Sequence, residues 1–247
     1  MTPTTISPSA ESFSAGAPAT VGVLLCHGFT GSPASLRPLA NHLAQSGLRV
    51  ELPRLPGHGT HWRELQLTQW QDWYAAVEAR LLQLNQECSR VFVVGLSMGG
   101  ALALRLAQEQ DVAGLVLVNP AIASHDWRMR LLPVLKHLVP TTSAIGDDIA
   151  RPGVTEHGYP RTPLRAAHSM MRLWQTVRAE LAHVECDVLL LTSRVDHVVD
   201  RASGRMLMEQ LPHVERVWLD KSHHVATLDH DAELVQQLTL DFIEARR

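Results

Sequence analysis

Residues 91–100 read Val-Phe-Val-Val-Gly-Leu-Ser-Met-Gly-Gly, and the rest of the chain is organised around this run. An apolar stretch typical of a buried strand passes directly into the pattern Gly-x-Ser-x-Gly, and a helix-forming sequence follows over 101–107. The order predicts a strand, a tight turn and a helix, with Ser97 at the tip of the turn. Gly95 and Gly99 flank the serine because so sharp a reversal leaves no room for β-carbons on either side.

The predicted turn exposes the Ser97 hydroxyl and places it, with the backbone amide of Met98, at the beginning of a helix. Unpaired N–H groups and the positive end of the helix dipole favour a negative charge that develops there. A nucleophile and an oxyanion donor are therefore expected side by side. A glycine-rich turn without chemistry is the structural alternative, and the strand before the motif and the helix after it weigh against that alternative.

The composition is that of one globular domain, or of a domain with an insertion, and we expect one domain. The chain has 247 residues, of which 45% are hydrophobic and 19% are charged, so it can bury a full core. Its formal charge is −3 and it has no run of Lys or Arg, which argues against nucleic acid or an anionic membrane as partner. The three cysteines are widely spaced without a C-x-x-C pair, so we expect reduced thiols rather than disulfides or a zinc site.

The N-terminal segment 1–20 is rich in Ser, Thr, Pro and Ala, and we expect it to be flexible. It contains neither a basic residue nor the apolar stretch of a signal peptide. No segment of the sequence reaches the roughly 20 apolar residues that cross a bilayer. We therefore expect a cytoplasmic protein without a stable membrane anchor.

Apolar strands alternate with helices along most of the chain, which is typical of a parallel sheet covered on both faces. The expected strands are 21–26, 49–53, 91–95, 114–120, 187–193 and 214–219, and the expected helices are 33–46, 70–84, 101–107, 202–210 and 232–244. About six strands joined by right-handed crossovers predict a mostly parallel, doubly wound α/β sheet.

The alternation stops between 121 and 184, where Pro, Gly and His become frequent and apolar clusters occur at 131–135 and 170–174. We expect an insertion that lies over the carboxyl ends of the strands and roofs the site. The cluster at 170–174 either contacts an acyl chain or packs the insertion onto the body. The predicted division is a core over 21–120 and 185–247 with a cap over 121–184.

A serine nucleophile needs a base, and the base needs an acid that holds its tautomer. Asp196 follows a buried strand at the ligand-binding edge, whereas Asp187 precedes that strand and Asp200 stands where it would cap a helix. The candidates for the base are His223 and His224, which follow the last strand at the same edge, and their positions leave the choice between them open. The chain order Ser, Asp, His is that of the α/β-hydrolase fold.

Two further histidines, His58 and His61, lie in the loop 54–61 and suggest a metal pair. No third ligand is near them in the sequence, so we interpret both as loop residues that make ordinary hydrogen bonds. We expect no metal site and no cofactor.

Five motifs together resemble those of bacterial carboxylesterases and monoacylglycerol lipases of the α/β-hydrolase superfamily. They are HGFTG at 27–31, PGHGTH at 56–61, GLSMGG at 95–100, DHVV at 196–199 and HVATLD at 224–229. The similarity covers nearly the whole chain from residue 21, and the motifs are specific as a set. It implies an α/β-hydrolase fold with a small cap inserted after the sixth strand of the family pattern.

The resemblance implies Ser97 as the nucleophile, Asp196 as the acid, and the amides of Phe29 and Met98 as the oxyanion hole. It also selects His224 as the base, because the histidine of the family pattern directly precedes Val-x-Thr-Leu-Asp.

The resemblance further implies a hydrophobic acyl tunnel beneath the cap and a cap carboxylate that binds glycerol hydroxyls. Glu156 occupies the matching position, and a solvated surface glutamate is the structural alternative. We therefore predict a serine ester hydrolase that cleaves short- to medium-chain acyl esters, with monoacylglycerols as the favoured small-molecule substrates. A thioesterase or a C–C bond hydrolase of the same fold is the alternative, and a ligand-binding protein without activity is a third interpretation.

Overall fold

The computed structural model describes residues 6–144 and 146–247, and a seven-stranded sheet lies at its centre. The strands of the described residues are β1 (Phe13–Ala15), β2 (Val21–Cys26), β3 (Arg49–Leu52), β4 (Arg90–Leu96), β5 (Gly114–Val118), β6 (Thr141–Ser143), β7 (Arg161–Pro163), β8 (Val188–Ser193) and β9 (Val214–Leu219). The order across the central sheet is β1-β3-β2-β4-β5-β8-β9, and β6 and β7 form a separate antiparallel hairpin. Neighbours in the central sheet are parallel except β1, which runs antiparallel to β3.

Helices cover both faces of the central sheet. The α-helices of the described residues are α1 (Arg37–Gln45), α2 (Trp62–Leu65), α3 (Trp70–Glu87), α4 (Met98–Glu109), α5 (Leu132–Leu138), α6 (Leu164–Ala179), α7 (Ala202–Gln210) and α8 (Ala232–Glu244). Along β4, Val91 and Val93 pack into the core shared with α3, α4 and α7, whereas Phe92 and Val94 pack into the core shared with α1 and α8. Burial on both faces explains why these strands are continuous apolar runs.

The predicted α/β-hydrolase fold is confirmed, and so are the six predicted strands. Strands β2 and β9 and helices α7 and α8 have the bounds expected from the sequence. These elements could be predicted because each carries a clear periodicity and an obvious stop signal.

The seventh strand of the sheet, β1, lies in the segment 1–20 that was expected to be flexible, and it was not among the six strands expected from the sequence. Ser14 pairs with Glu51 in the antiparallel register and donates a hydrogen bond of 2.6 Å to its carboxylate. Arg49 donates to the same carboxylate at 2.6 Å and to the Ala15 carbonyl at 3.2 Å. The strand is held by these distant partners, and three residues are too few to show a strand periodicity.

The segment between β5 and β8 contains a 3₁₀ turn (Trp127–Leu131), α5, the β6–β7 hairpin, α6 and a second 3₁₀ turn (Leu181–His183). The cluster at 170–174 has two roles. Leu173 is fully buried in the core shared with α4, while Met170 and Trp174 face the large cavity described below. The division of the chain into a core and a cap over 121–184 stays a proposal.

Among the residues that the structure describes, no helix combines the length and the apolar character that crossing a bilayer requires.

Candidate active site

Ser97 occupies a strained turn between the end of β4 and the beginning of α4. Its backbone has φ +55° and ψ −119°, a left-handed conformation that is costly for a residue with a β-carbon. The turn is fixed from β5, because the Ser97 amide donates to the Val118 carbonyl at 3.0 Å and its carbonyl accepts from the Ala121 amide at 3.1 Å. The side chain is held at the tip of the turn, as the sequence pattern predicts.

The two glycines of the motif are required by close backbone contacts. A β-carbon on Gly95 would lie 2.4 Å from the Gly99 carbonyl oxygen, and one on Gly99 would lie 1.9 Å from the Cys26 carbonyl oxygen. Both distances are far inside van der Waals contact, so the turn excludes any larger residue at either position.

The first prediction concerns the free energy of unfolding of Gly99→Ala. We expect a loss of about 2–4 kcal/mol, because the added methyl group overlaps the β2 backbone and cannot rotate away. Gly204→Ala is the matched control: it also changes a buried helical glycine, but its β-carbon would meet Thr192 Oγ1 at an ordinary 3.8 Å. Urea unfolding of both variants makes the measurement. Equal stability of the two variants would contradict the close approach of β2 and α4.

Asp196 and His224 are joined by a hydrogen bond of 2.8 Å between Asp196 Oδ2 and His224 Nδ1. The other carboxylate oxygen of Asp196 accepts from the backbone amides of Val198 and Val199, both at 2.8 Å. Both side chains are about nine-tenths buried, which strengthens the bond between them. The carboxylate therefore holds the imidazole with Nδ1 facing the acid and Nε2 free for another partner.

The two adjacent histidines have different partners. His224 contacts Asp196, whereas His223 Nδ1 lies 3.4 Å from Asp148 Oδ1. The structure thus separates the two candidates for the base, and the one that contacts Asp196 is the one selected by the resemblance. The roles of both residues in a reaction stay predictions.

The remaining aspartate candidates occupy the positions expected from the sequence. Asp200 precedes Arg201, the residue at which α7 is capped, and accepts from the Ala202 amide at 2.7 Å. Asp187 precedes β8 and accepts from Arg246 at 2.6 Å, at the opposite edge of the sheet.

A buried pair, Asn119 and Ser193, supports the histidine loop and was not found from the sequence. Asn119 Nδ2 donates to the His224 carbonyl at 2.8 Å and to Ser193 Oγ at 2.9 Å, and Ser193 Oγ donates to the His223 carbonyl at 2.8 Å. Asn119 has φ +44°, a strained conformation that aims its side chain at this loop. The ends of β5 and β8 therefore fix the backbone that carries the imidazole.

Asp229 connects the same loop to the segment between β5 and β8. It was also not identified as a site residue from the sequence. Its carboxylate accepts from the amides of Ala150, Arg151, His223 and His230 at 2.7–2.9 Å. Burial raises the pKa of Asp229, but the four N–H groups outweigh burial and leave the pKa below its ordinary value. An ionised carboxylate therefore organises this corner of the site.

Phe29 belongs to the loop after β2, and this loop runs beside the serine turn. A β-carbon on Gly28 would lie 3.5 Å from Ser97 Cβ, so the two turns are in van der Waals contact. Thr30 has φ +62°, and its hydroxyl donates to the Phe29 carbonyl at 2.6 Å. The amides of Phe29 and Met98 belong to two turns that meet at Ser97, and their assignment as an oxyanion hole stays a prediction.

His27 anchors the Phe29 loop from below. The Leu55 amide donates to His27 Nε2 at 3.2 Å, so the ring proton is on Nδ1, which donates to the Gly28 carbonyl at 2.9 Å. Burial lowers the pKa of His27 to about 4, and the ring is neutral at physiological pH.

His58 and His61 are loop residues with local hydrogen bonds, as interpreted from the sequence. His58 is fully buried against the rings of His27 and Trp73, with Nδ1 3.1 Å from the Pro56 carbonyl. His61 Nδ1 accepts from the Arg63 amide at 3.2 Å at the beginning of α2.

A cavity of about 950 Å³ opens at the carboxyl ends of the strands. Ser97, Phe29, Asp196 and His224 line its floor. Its walls are mostly apolar and come from the segment between β5 and β8: Trp127, Met129, Leu132, Leu135, Leu164, Ala167, Met170 and Trp174. The arrangement suits a ligand with one reactive polar group and a long apolar part.

Glu156 projects into this cavity from the same segment. Its Oε1 accepts from the Asp147 amide at 3.3 Å, and Gly31 is so close that a β-carbon there would lie 3.3 Å from Glu156 Oε2. Burial raises the pKa of Glu156, and the negative charges of Asp147 and Asp148 add to the rise. Glu156 is therefore partly enclosed at the cavity wall rather than a fully solvated surface residue.

Comparisons with known proteins agree with this geometry. Residues 23–237 match the model of the alpha/beta hydrolase family. A thermostable monoacylglycerol lipase of Bacillus sp. strain H-257 is 40% identical over 230 residues, which are 90% of each chain. A carboxylesterase of Bacillus subtilis strain 168 is 26% identical over 225 residues, 90% of this chain and 92% of that protein.

A solved structure described with LipS and LipT, two metagenome-derived lipolytic enzymes, superposes with a TM-score of 0.93 and 36% identity. The superposition covers 98% of this chain and 100% of the other. The sheet order, the serine turn and the family match lead to one conclusion: the chain belongs to the alpha/beta hydrolase family.

Proposed function

We propose that this protein is a serine carboxylic-ester hydrolase that acts through an acyl-enzyme intermediate. One observation carries the proposal: Ser97, on a strained turn, shares a cavity floor with His224, whose Nδ1 is hydrogen-bonded to the buried carboxylate of Asp196. A nucleophile, a base and an orienting acid are the minimum set for acyl transfer by a serine.

In the proposed mechanism, His224 Nε2 takes the Ser97 hydroxyl proton while Ser97 Oγ attacks the ester carbonyl carbon. The negative oxygen of the tetrahedral intermediate is held by the amides of Phe29 and Met98, helped by the N-terminal end of α4. His224 then gives the proton to the departing alcohol oxygen, and the C–O bond breaks. A water molecule, deprotonated by the same imidazole, attacks the acyl carbon of the acyl-enzyme; the bond from that carbon to Ser97 Oγ breaks, Ser97 Oγ takes the proton back from His224, and the acid is released.

The cavity supports acyl esters of glycerol as the substrate class. Its apolar walls suit a short- to medium-length acyl chain, and Glu156 offers a carboxylate to the polar end of the ligand. A monoacylglycerol has this combination, with one apolar chain and two free hydroxyl groups. The Bacillus relative is itself named a monoacylglycerol lipase.

In this proposal the segment 121–184 is the cap over the site. Three free cysteines support a cytoplasmic location.

A substrate panel tests the proposal. Rates are measured for p-nitrophenyl esters of increasing chain length, for mono-, di- and triacylglycerols, and for acyl thioesters of the same acids. We expect the highest kcat/KM among the glycerides for monoacylglycerols, and low rates for thioesters. A preference for thioesters would overturn the assigned bond, and equal rates for triacylglycerols would overturn the assigned substrate class.

The second prediction concerns Glu156→Gln. We expect KM for a monoacylglycerol to rise about tenfold, because a hydrogen bond from a substrate hydroxyl to a charged acceptor is exchanged for a weaker one. The p-nitrophenyl ester of the same acid has no glycerol, and its KM should stay within about twofold. Glu233→Gln, on the exposed face of α8, is the control variant. An equal rise in KM for both substrates would exclude a role of Glu156 in binding the glycerol.

A further inference from the structure

Three side chains that the proposed reaction does not use converge beside the site. Asp148 Oδ1 lies 2.8 Å from His197 Nδ1 and 3.4 Å from His223 Nδ1. The imidazoles of His197 and His223 meet edge to face with centroids 4.8 Å apart. Among the described residues, these three offer one oxygen and two nitrogen ligand atoms that all lie within 4.8 Å of one another.

The spacing fits a small divalent ion. In a tetrahedral zinc site the nitrogen and oxygen ligands are about 2.0–2.1 Å from the ion and therefore about 3.3 Å from each other. The measured distances from the carboxylate oxygen to the two nitrogens, 2.8 and 3.4 Å, fall on both sides of that value. The two nitrogens lie within 4.8 Å of each other.

The carboxylate is already oriented for this role. Asp148 Oδ2 accepts from the backbone amides of His197 at 3.0 Å and His224 at 3.2 Å, so Oδ1 is left to face the two imidazoles. The Val225 amide donates to the Asp148 carbonyl at 3.1 Å and fixes the backbone. Hydrogen bonds that fix a ligand from behind are typical of metal sites.

The cluster is open to solvent on one side and lies among negative charges. The side chains of His197, His223 and Asp148 are 59%, 30% and 10% exposed, so an ion can reach them from the surface. The negative charges of Asp147 and Asp148 both act on Glu156, so three carboxylates lie near this corner of the molecule. A cation is therefore attracted before it is bound.

We propose that Asp148, His197 and His223 form a binding site for one divalent cation of the zinc class, with a water molecule as fourth ligand. A donor set of two imidazoles and a carboxylate favours Zn²⁺ over Mg²⁺ and Ca²⁺, which take oxygen ligands. The bound ion links three separate segments: the 146–151 stretch, the loop that carries Asp196 and the loop that carries His224. It stabilises the folded protein as any ligand of the native state does. This proposal departs from the sequence-based expectation of no metal site. Binding of the ion does not depend on whether the protein hydrolyses esters.

The experiment is a titration of the metal-free protein with Zn²⁺ alone, followed by calorimetry and by the midpoint of thermal unfolding. We expect one ion per chain, a Kd in the micromolar range and a rise in Tm when the ion is present. His197→Gln removes an exposed ligand and should weaken binding at least tenfold and abolish the rise in Tm. His213→Gln, which changes an exposed histidine elsewhere on the surface, should bind as the unaltered protein does.

A spectroscopic measurement identifies the ligands. Co²⁺ in place of Zn²⁺ should give the intense visible absorption of a four-coordinate site, and His223→Gln should remove that absorption. The proposal is overturned if the unaltered protein does not bind Zn²⁺ below millimolar concentration. It is also overturned if His197→Gln and His223→Gln bind one ion as tightly as His213→Gln does.

Discussion

Replacing Ser97 with alanine should lower kcat/KM for a p-nitrophenyl ester by about 10⁴-fold or more. The variant lacks the hydroxyl that the proposed mechanism acylates, while the amides of Phe29 and Met98 and the binding cavity stay in place. A small residual rate from binding and oxyanion stabilisation is expected, as in other serine hydrolases.

The measurement combines kinetics with covalent labelling. A fluorophosphonate probe should label the unaltered protein and fail to label Ser97→Ala. Ser46→Ala is the matched control, because Ser46 is exposed at the end of α1 and donates only to the His42 carbonyl. Labelling at a serine other than Ser97, or full turnover in Ser97→Ala, would contradict the proposed nucleophile.

Replacing His224 with alanine should lower kcat/KM by about 10³- to 10⁵-fold. In the proposed mechanism the imidazole accepts the Ser97 hydroxyl proton, and alanine offers no acceptor in its place. The buried carboxylate of Asp196 also loses its partner, so a modest loss of stability accompanies the loss of rate.

The matched variant is His223→Ala, which changes the neighbouring histidine that contacts Asp148 instead of Asp196. Its kcat/KM should fall by less than about tenfold, because the His223 side chain takes no part in the proposed reaction and affects His224 only through the loop that carries both residues. Retained turnover in His224→Ala together with a large loss in His223→Ala would reverse the assignment of the base. Circular dichroism of both variants shows whether each is folded.

Much of the central fold could be predicted because its signals are local. The run 91–100 contains the strand, the turn and the start of the helix within ten consecutive residues. Asp196 could be proposed from topology alone, because residues that follow parallel strands meet at one edge of the sheet. The choice of His224 over His223 required the resemblance, since the two residues occupy equivalent positions after β9.

The supporting residues could not be found in this way, because their partners are far apart in the chain. Asn119 is 74 residues from Ser193 and 105 residues from His224, and a lone asparagine after a strand gives no sign of either contact. Asp148 lies in a stretch without periodicity, and the histidines it contacts are 49 and 75 residues away. Only the folded arrangement of the loops brings these groups together.

Three residues of the candidate site and its supporting loops, Thr30, Ser97 and Asn119, hold a left-handed backbone that glycine would adopt at lower cost. Each of them has a side chain with a partner or a proposed role. The Thr30 hydroxyl donates to the Phe29 carbonyl, the Ser97 hydroxyl is the proposed nucleophile, and the Asn119 amide donates to the His224 carbonyl. Replacing these three residues with glycine to relieve backbone strain would therefore remove side chains that the proposed site needs. Gains in thermal stability have to come from positions remote from these three residues.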